Sequence, residues 1–237
     1  MKDIYTITLI GFFVGVIGTG IGGLFAPFIK GKSQKFLSSL LGLTGGLMLS
    51  IVAFELLPQS YMLGGIIVVI IGIFLGISLV ILVEEKTAKK DYNPLLKSGI
   101  ILSISMAIHN LPEGLAIGSS FMAEKEIGLT LALAVLVHNI PEGLALVAPL
   151  KIGKIPNWRI ILTTFIVGIP TGIGALIGAY LGNVSNFLIS FCLAFAGGTM
   201  LYIICDNLIP NAKTLHSGRT STISIVIGFI LGMLTIF

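Results

Sequence analysis

Residues 127–150 read IGLTLALAVLVHNIPEGLALVAPL. The segment contains no lysine or arginine, and Glu142 is its only carboxylate. About 20 apolar residues are enough for an α-helix to cross the roughly 30 Å hydrocarbon core of a membrane. The segment therefore predicts a transmembrane helix that carries His138, Asn139 and Glu142 near its centre.

The whole chain has the composition of a membrane protein. Of its 237 residues, 55% are hydrophobic and 10% are charged, whereas roughly 25% of residues are charged in an ordinary soluble domain. The mean hydropathy is +1.08. These values exclude a soluble enzyme, a disordered segment and a nucleic-acid-binding module. We interpret residues 1–237 as a single all-α integral membrane domain.

Eight apolar runs in the sequence are long enough to cross a bilayer. They lie at 4–26, 36–57, 62–83, 98–122, 127–150, 159–181, 185–208 and 220–237. The connections between them are short, so no soluble domain is expected between the predicted helices.

The basic residues predict the orientation of the eight helices. Of the 14 lysines and arginines, only Lys2 and Lys125 fall on one side of the predicted topology. The residues on the other side are Lys30, Lys32, Lys35, Lys86, Lys89, Lys90, Lys97, Lys151, Lys154, Arg159, Lys213 and Arg219. Because basic loops are retained in the cytoplasm, both termini are expected outside the cell.

A polar motif occurs twice, in the fourth and fifth predicted helices. Residues 109–116 read HNLPEGLA and residues 138–145 read HNIPEGLA, so seven of eight positions are identical. An ionised side chain at the bilayer centre costs about 2.5–3.5 kcal/mol on insertion scales. Both motifs are therefore expected to face the protein interior and to find partners there.

The spacing within each motif indicates a metal site. His109 and Glu113 are four residues apart, as are His138 and Glu142, so each pair shares one helix face. A short connection makes the two helices antiparallel neighbours, and their motifs can then face each other. The candidate ligands are His109, Asn110, Glu113, His138, Asn139 and Glu142. Imidazole nitrogens combined with carboxylate oxygens suit Zn²⁺, Fe²⁺ and Mn²⁺ better than Ca²⁺ or Mg²⁺.

Each motif also contains a proline, Pro112 or Pro141. A proline inside a helix removes one hydrogen bond and leaves the carbonyl oxygen four residues earlier without its usual donor. Such irregular backbone is tolerated at membrane depth where it lines a cavity. The prolines are therefore expected to kink both helices beside the site.

With these motifs, the chain resembles the Zrt-/Irt-like (ZIP) family of divalent metal transporters, and within it the bacterial GufA-like branch. Residues 46–49 (GLML) and 54–58 (FELLP) are similar to the family's pattern in the second helix. Residues 198–202 (GTMLY) and 208–210 (LIP) are similar to its pattern in the seventh. The resemblance covers nearly the whole chain.

The resemblance implies a fold and an activity. The fold has eight transmembrane helices with both termini extracellular, and inverted three-helix repeats flank helices four and five. The activity is zinc uptake into the cytoplasm across the plasma membrane by an elevator-like carrier, with Fe²⁺, Mn²⁺, Co²⁺ and Cd²⁺ left open as further substrates. Met48 becomes a thioether ligand candidate. The expected partners are the metal ion, as cargo rather than cofactor, and the lipid bilayer, with no nucleic acid; a homodimer is left open.

The chain departs from the family pattern in its sixth helix. Many bacterial relatives have a glutamate that serves a second metal position, and Thr171 stands at the matching place. We therefore expect about one tightly held ion per chain. The sequence leaves the roles of Glu55, Asp206 and His216 open between pathway ligands and ordinary surface residues.

An intramembrane metal enzyme and a metal-selective channel are the two alternative functions. An intramembrane metal enzyme needs a metal-bound water beside a general base, and the sequence has no HExxH or GxSxG motif. A channel needs weak or multiple sites for conduction, whereas two clustered histidine–glutamate sets indicate firmer binding. The residues thus favour a carrier over either alternative.

Cysteines introduced next to Lys89 and next to Glu124 are expected to react with a membrane-impermeant thiol reagent from opposite faces. The twelve-to-two distribution of basic residues is the reason for this expectation. Labelling is measured in intact and in opened cells, with Cys205 replaced by serine to remove background. Labelling of both cysteines from the same face would contradict the topology.

Overall fold

The computed structural model describes residues 3–29, 33–88, 94–181 and 185–236. Within these ranges every regular element is helical, and the all-α prediction is confirmed. The helices are α1 (Ile4–Ile29), α2 (34–64), α3 (66–88), α4 (Pro94–Ala123), α5 (Lys125–Ile152), α6 (Asn157–Leu181), α7 (Asn186–Leu215) and α8 (Arg219–Ile236).

Six stretches of the described chain are long and apolar enough to cross a membrane. One of them, Gln34–Lys86, contains 53 residues, more than twice the ~20 that one crossing requires. Another apolar helix, Arg219–Leu234, is shorter. The chain is therefore a multi-pass membrane protein, while the number of crossings and the side of each terminus stay predictions.

Gly65 divides the 53-residue stretch into α2 and α3. Its backbone has φ +74° and ψ 174°, inside an otherwise continuous run of helix. The contacts with α7 show that the chain reverses here. Before Gly65, Leu57 lies near Gly197 and Ser60 donates a hydrogen bond to Ser190, so the contacts approach the start of α7. After Gly65 the contacts move toward the end of α7, through the pairs Gly72–Ala194, Gly76–Thr199 and Glu84–Tyr202.

The position of this turn differs from the sequence prediction. The apolar runs 36–57 and 62–83 predict a turn at residues 58–61, but the helix continues to residue 64. A π-helical segment, Val52–Leu56, ends two residues before Pro58, and such widened turns accommodate irregular backbone within a helix. Five basic residues used for the topology, Lys2, Lys30, Lys32, Lys89 and Lys90, lie outside the described residues.

The helices form two bundles. Helices α1, α4, α5 and α6 pack together, and α2, α3, α7 and α8 form the second group, in which α2 lies along α8 and α3 along α7. Contacts between the bundles run mainly through α4 with α7 and α2 with α5. The two repeated motifs therefore lie in the first bundle, next to its boundary with the second.

Helices α2 and α7 have the same internal design. In α2, the 18-residue segment Gln34–Ile51 is followed by a five-residue π-helical segment. In α7, the 18-residue segment Asn186–Ile203 is followed by the five-residue π-helical segment Ile204–Leu208. The two helices run antiparallel, which is the relation expected between inverted repeats.

The Gly65→Ala variant is expected to lose roughly 1–3 kcal/mol of stability, because residues with a Cβ rarely adopt this backbone conformation. Among the described residues, a Cβ at Gly65 would meet nothing within 4 Å. The loss would therefore come from backbone strain and not from a clash. Thermal unfolding in detergent measures it, with Ile71→Ala, at a half-exposed position of α3, as the control. A melting temperature no lower than that of the control would contradict the assignment of the turn.

Candidate metal site

The antiparallel packing of α4 and α5 brings the two motifs together. Gly99, near the start of α4, faces Leu150 near the end of α5, and Gly128 near the start of α5 faces Phe121 near the end of α4. The centres of the two helices therefore meet at the same depth. The single residue between Ala123 and Lys125 is a connection short enough to favour this antiparallel packing.

The histidines and glutamates form two crossed pairs between the helices. Nε2 of His109 lies 2.9 Å from Oε1 of Glu142, and Nε2 of His138 lies 3.3 Å from Oε1 of Glu113. All four side chains are at most 2% exposed. The spacing correctly places each histidine on the same helix face as its own glutamate, but each histidine bonds to the glutamate of the other helix.

The crossed pairs leave one donor or acceptor atom of each side chain unused. In the described part of the chain, Nδ1 of both histidines and Oε2 of both glutamates have no hydrogen-bond partner. Buried polar atoms without partners are uncommon in folded proteins and call for an explanation such as a bound ion. Ligand atoms of His109, Glu113 and Glu142 lie within 4.8 Å of one another, a spacing that one divalent cation can bridge.

The two asparagines fix the site to its neighbours. Nδ2 of Asn110 donates to the carbonyl oxygen of Val167 in α6, at 2.8 Å. Nδ2 of Asn139 donates to the carbonyl oxygen of Val14 in α1, at 3.4 Å. Sequence reasoning missed this anchoring role, because nothing in the motif indicates which distant carbonyl the amide will reach. Both Oδ1 atoms remain buried without partners among the described residues, so coordination by the asparagines stays a prediction.

The glycines that follow the glutamates allow two close helix contacts. A Cβ on Gly114 would collide with the carbonyl oxygen of Thr171 in α6, and a Cβ on Gly143 with that of Thr19 in α1. Small residues permit such approach between helices in a membrane. The two contacts match each other, as do the two asparagine bonds, so the site has an approximate twofold relation between its halves.

Helices α4 and α5 continue through Pro112 and Pro141. The kinks expected at these prolines stay a prediction. Pro141 nevertheless lines a cavity, as the sequence suggested for irregular backbone. That cavity has a volume of about 430 Å³ and also reaches His138. We call it the deep cavity; its other lining residues are Leu47, Ile51, Glu55, Thr130, Leu133, Ala134 and Val137.

The remaining candidates lie around this centre. Met48 is fully buried in α2, while its neighbours Leu47 and Ile51 line the deep cavity; its role as a ligand stays a prediction. Thr171 is fully buried against Gly15 and Gly114, and the expectation of a single ion that rests on it also stays a prediction.

Three further residues were left open by the sequence. Glu55 lines the deep cavity together with His138. Asp206 is exposed in the π-helical segment of α7, and His216 forms the end of α7. Of the three, only Glu55 lines the deep cavity.

Comparisons with known proteins find a matching family and several relatives. The family model described as ZIP zinc transporter matches residues 84–237. The zinc transporter ZupT of Corynebacterium glutamicum is 31% identical over 125 residues, which are 42% of this chain and 48% of the relative. ZupT of Chlorobaculum parvum is 31% identical over 138 residues, which are 47% of this chain and 52% of the relative. The chain thus spans about half the length of the curated relatives it matches.

Zn²⁺ is expected to raise the melting temperature of the purified chain in detergent. An ion that binds only the folded state adds about 2.7 kcal/mol when present at 100 times its dissociation constant. Glu142→Gln keeps the shape of the side chain but removes one of two negative charges at the site, so most of the stabilisation by Zn²⁺ should be lost. Glu85→Gln, at an exposed carboxylate of α3, is the control. An undiminished effect of Zn²⁺ on Glu142→Gln would show that the ion binds elsewhere.

Proposed function

Because the chain belongs to the ZIP zinc transporter family, we propose that it carries Zn²⁺ through the membrane by way of the crossed histidine–glutamate pairs. The observation that supports this most directly is the set of unused nitrogen and oxygen atoms on four buried side chains. Two carboxylates balance the charge of one divalent ion, and two imidazoles favour Zn²⁺ over harder cations. Fe²⁺, Mn²⁺, Co²⁺ and Cd²⁺ share enough of this chemistry to compete.

An eight-crossing topology is part of the proposal. The reversal at Gly65 divides the longest apolar stretch into two antiparallel helices. With that division, α2 runs parallel to α8 and α3 runs parallel to α7, as the contacts Gly42–Ser221 and Gly72–Ala194 indicate together with their neighbours. Eight alternating crossings place both termini on one face, which the basic residues assign to the outside.

The two ends of the metal site differ in how accessible they are, and this difference favours a carrier with alternating access. Toward the start of α5, the deep cavity leads to His138. Toward the start of α4, side chains pack tightly instead, and Ile101, Ser105 and Ile203 are at most 1% exposed. The site is therefore accessible from one side and closed on the other.

Hydrogen bonds between the two bundles hold the closed end. Oγ of Ser98 in α4 donates to Oδ1 of Asn207 in α7 at 2.8 Å, and Nδ2 of Asn211 donates to Oγ of Ser98 at 2.7 Å. Opening this end requires these bonds to break as the bundle of α1, α4, α5 and α6 moves against the other. We propose such sliding as the transport step, with uptake into the cytoplasm as its direction.

The alternatives gain less support. The matching family and relatives are described as transporters, so an intramembrane enzyme is not favoured. A channel would need a continuous path, whereas the end of the site near Ser98 is closed by buried side chains.

Glu113→Ala and Glu142→Ala are each expected to abolish Zn²⁺ uptake into proteoliposomes, because each removes a charged ligand and leaves its histidine partner unpaired. The control is Glu85→Ala, which removes an exposed carboxylate in α3 and should transport normally. Uptake of ⁶⁵Zn²⁺ is measured with Fe²⁺, Mn²⁺, Co²⁺ and Cd²⁺ as competitors. Normal uptake by both site variants would overturn the proposed pathway.

The same proteoliposomes separate a carrier from a channel. Unlabelled Zn²⁺ on the opposite side should accelerate the exchange of labelled Zn²⁺ through a carrier, because the loaded site returns faster than the empty one. Exchange that is no faster than net flux would contradict alternating access.

A further inference from the structure

A second cavity adjoins the deep cavity and extends it toward the surface. It has a volume of about 310 Å³, and its walls include Gln59, Glu124 and Glu126. We call it the mouth cavity. Both cavities are lined by Glu55, Thr130 and Ala134. Glu55 therefore stands where the two cavities meet, on the route from the exposed start of α5 to His138.

The route carries negative charge along its length. The charged residues that line the two cavities are Glu55, Glu124 and Glu126, and all three are acidic. Lys125 lies between two of these glutamates in sequence but lines a different cavity, beside Asp3 and Thr6. A cleft with walls of one sign concentrates ions of the opposite charge and speeds their entry.

His138 provides a second and independent indication of a cation site. It lies at the wall of the deep cavity and is only 2% exposed. Its Nε2 is engaged with Glu113, whereas Nδ1 has no hydrogen-bond partner in the part of the chain that the structure describes. A neutral imidazole that donates from Nε2 to a carboxylate has its free electron pair on Nδ1, which is the form that binds metal.

The position of Glu55 in its helix supports a role in binding the cation. Glu55 is the fourth residue of the π-helical segment Val52–Leu56, and such segments occur frequently at functional sites. The fourth residue of the matching segment in α7 is Asn207, whose amide is bonded to Ser98 at the closed end. The equivalent position thus carries a charge at the accessible end and a neutral amide at the closed end.

Glu55 also lies beside the transport site. It lines the deep cavity with His138, whose Nε2 is paired with Glu113. A cation bound at Glu55 would therefore feel the attraction of the Glu113 carboxylate before it leaves the carboxylate of Glu55.

We propose that Glu55 captures a divalent cation where the two cavities meet, together with Nδ1 of His138, a side chain that this capture site shares with the crossed pairs. The capture site fills from the mouth cavity before the ion enters the crossed pairs. This inference rests on the proposed transport of Zn²⁺ and adds the residue that loads the site. The site binds a still partly hydrated ion more weakly than the crossed pairs do, so that the ion can move on. Glu55 sets how efficiently the protein collects ions at low concentration.

The test is the concentration dependence of Zn²⁺ uptake in proteoliposomes. Glu55→Gln keeps the size and polarity of the side chain but removes its negative charge and replaces one carboxylate oxygen, a metal ligand, by an amide nitrogen. It is expected to raise the half-saturating Zn²⁺ concentration by about tenfold and to change the maximal rate by less than about twofold. Glu55→Asp keeps the charge and should restore most of the apparent affinity. Glu85→Gln removes an equal charge elsewhere and should leave both parameters unchanged.

A binding measurement separates capture from transport. Glu142→Ala disables the crossed pairs but leaves Glu55 and His138 in place, so a weak Zn²⁺ site should remain in titration calorimetry. Adding Glu55→Gln to this variant should remove the remaining site. Circular dichroism confirms that each variant is folded.

The outcomes distinguish the two proposals. If the wild-type protein does not move Zn²⁺, the proposed function fails, while the calorimetric test of the capture site still stands. If wild-type uptake is normal and Glu55→Gln matches Glu85→Gln in half-saturating concentration, the capture site is refuted. Weak Zn²⁺ binding that survives Glu55→Gln in the Glu142→Ala background would refute it as well.

Discussion

The main constraint on the fold is that two imidazoles and two carboxylates are buried away from water inside a membrane protein, which costs free energy unless they find partners. A lone buried charge in such a medium is expensive, and removing one partner from a buried pair leaves that cost uncompensated. The crossed arrangement meets the requirement by giving each histidine a glutamate from the other helix. It also fixes α4 and α5 in register, because sliding either helix by one turn would separate both pairs at once.

The surrounding bundle holds these pairs through backbone contacts. Asn110 and Asn139 reach main-chain carbonyl oxygens in α6 and α1, and glycines allow the same helices to approach α4 and α5 closely. These contacts join the four helices of this bundle around the crossed pairs. The other bundle meets them mainly along α4 with α7 and α2 with α5. The sliding proposed above would take place along this boundary.

Helices α2 and α7 are nearly equivalent in structure, so the side chains in which they differ indicate how the two ends of the site differ. Helices α2 and α7 share segment lengths and a π-helical insertion, yet Glu55 occupies in one the place that Asn207 occupies in the other. The first residue faces connected cavities, and the second belongs to a hydrogen-bonded closure with Ser98. The corresponding positions of the two helices therefore carry a carboxylate beside the connected cavities and an amide at the closed end.

The sequence by itself determined the features that depend on local spacing and composition. Apolar length predicted membrane helices, the interval of four residues placed His109 with Glu113 and His138 with Glu142 on shared faces, and the nitrogen and oxygen ligands indicated the class of metal. The tertiary structure decided which glutamate each histidine bonds to, which carbonyl oxygens Asn110 and Asn139 reach, and where the chain turns at Gly65. It also decided that Glu55 shares a cavity with His138. These features join segments far apart in the chain, and helix periodicity constrains the facing of residues within one helix but not the neighbour that this face will meet.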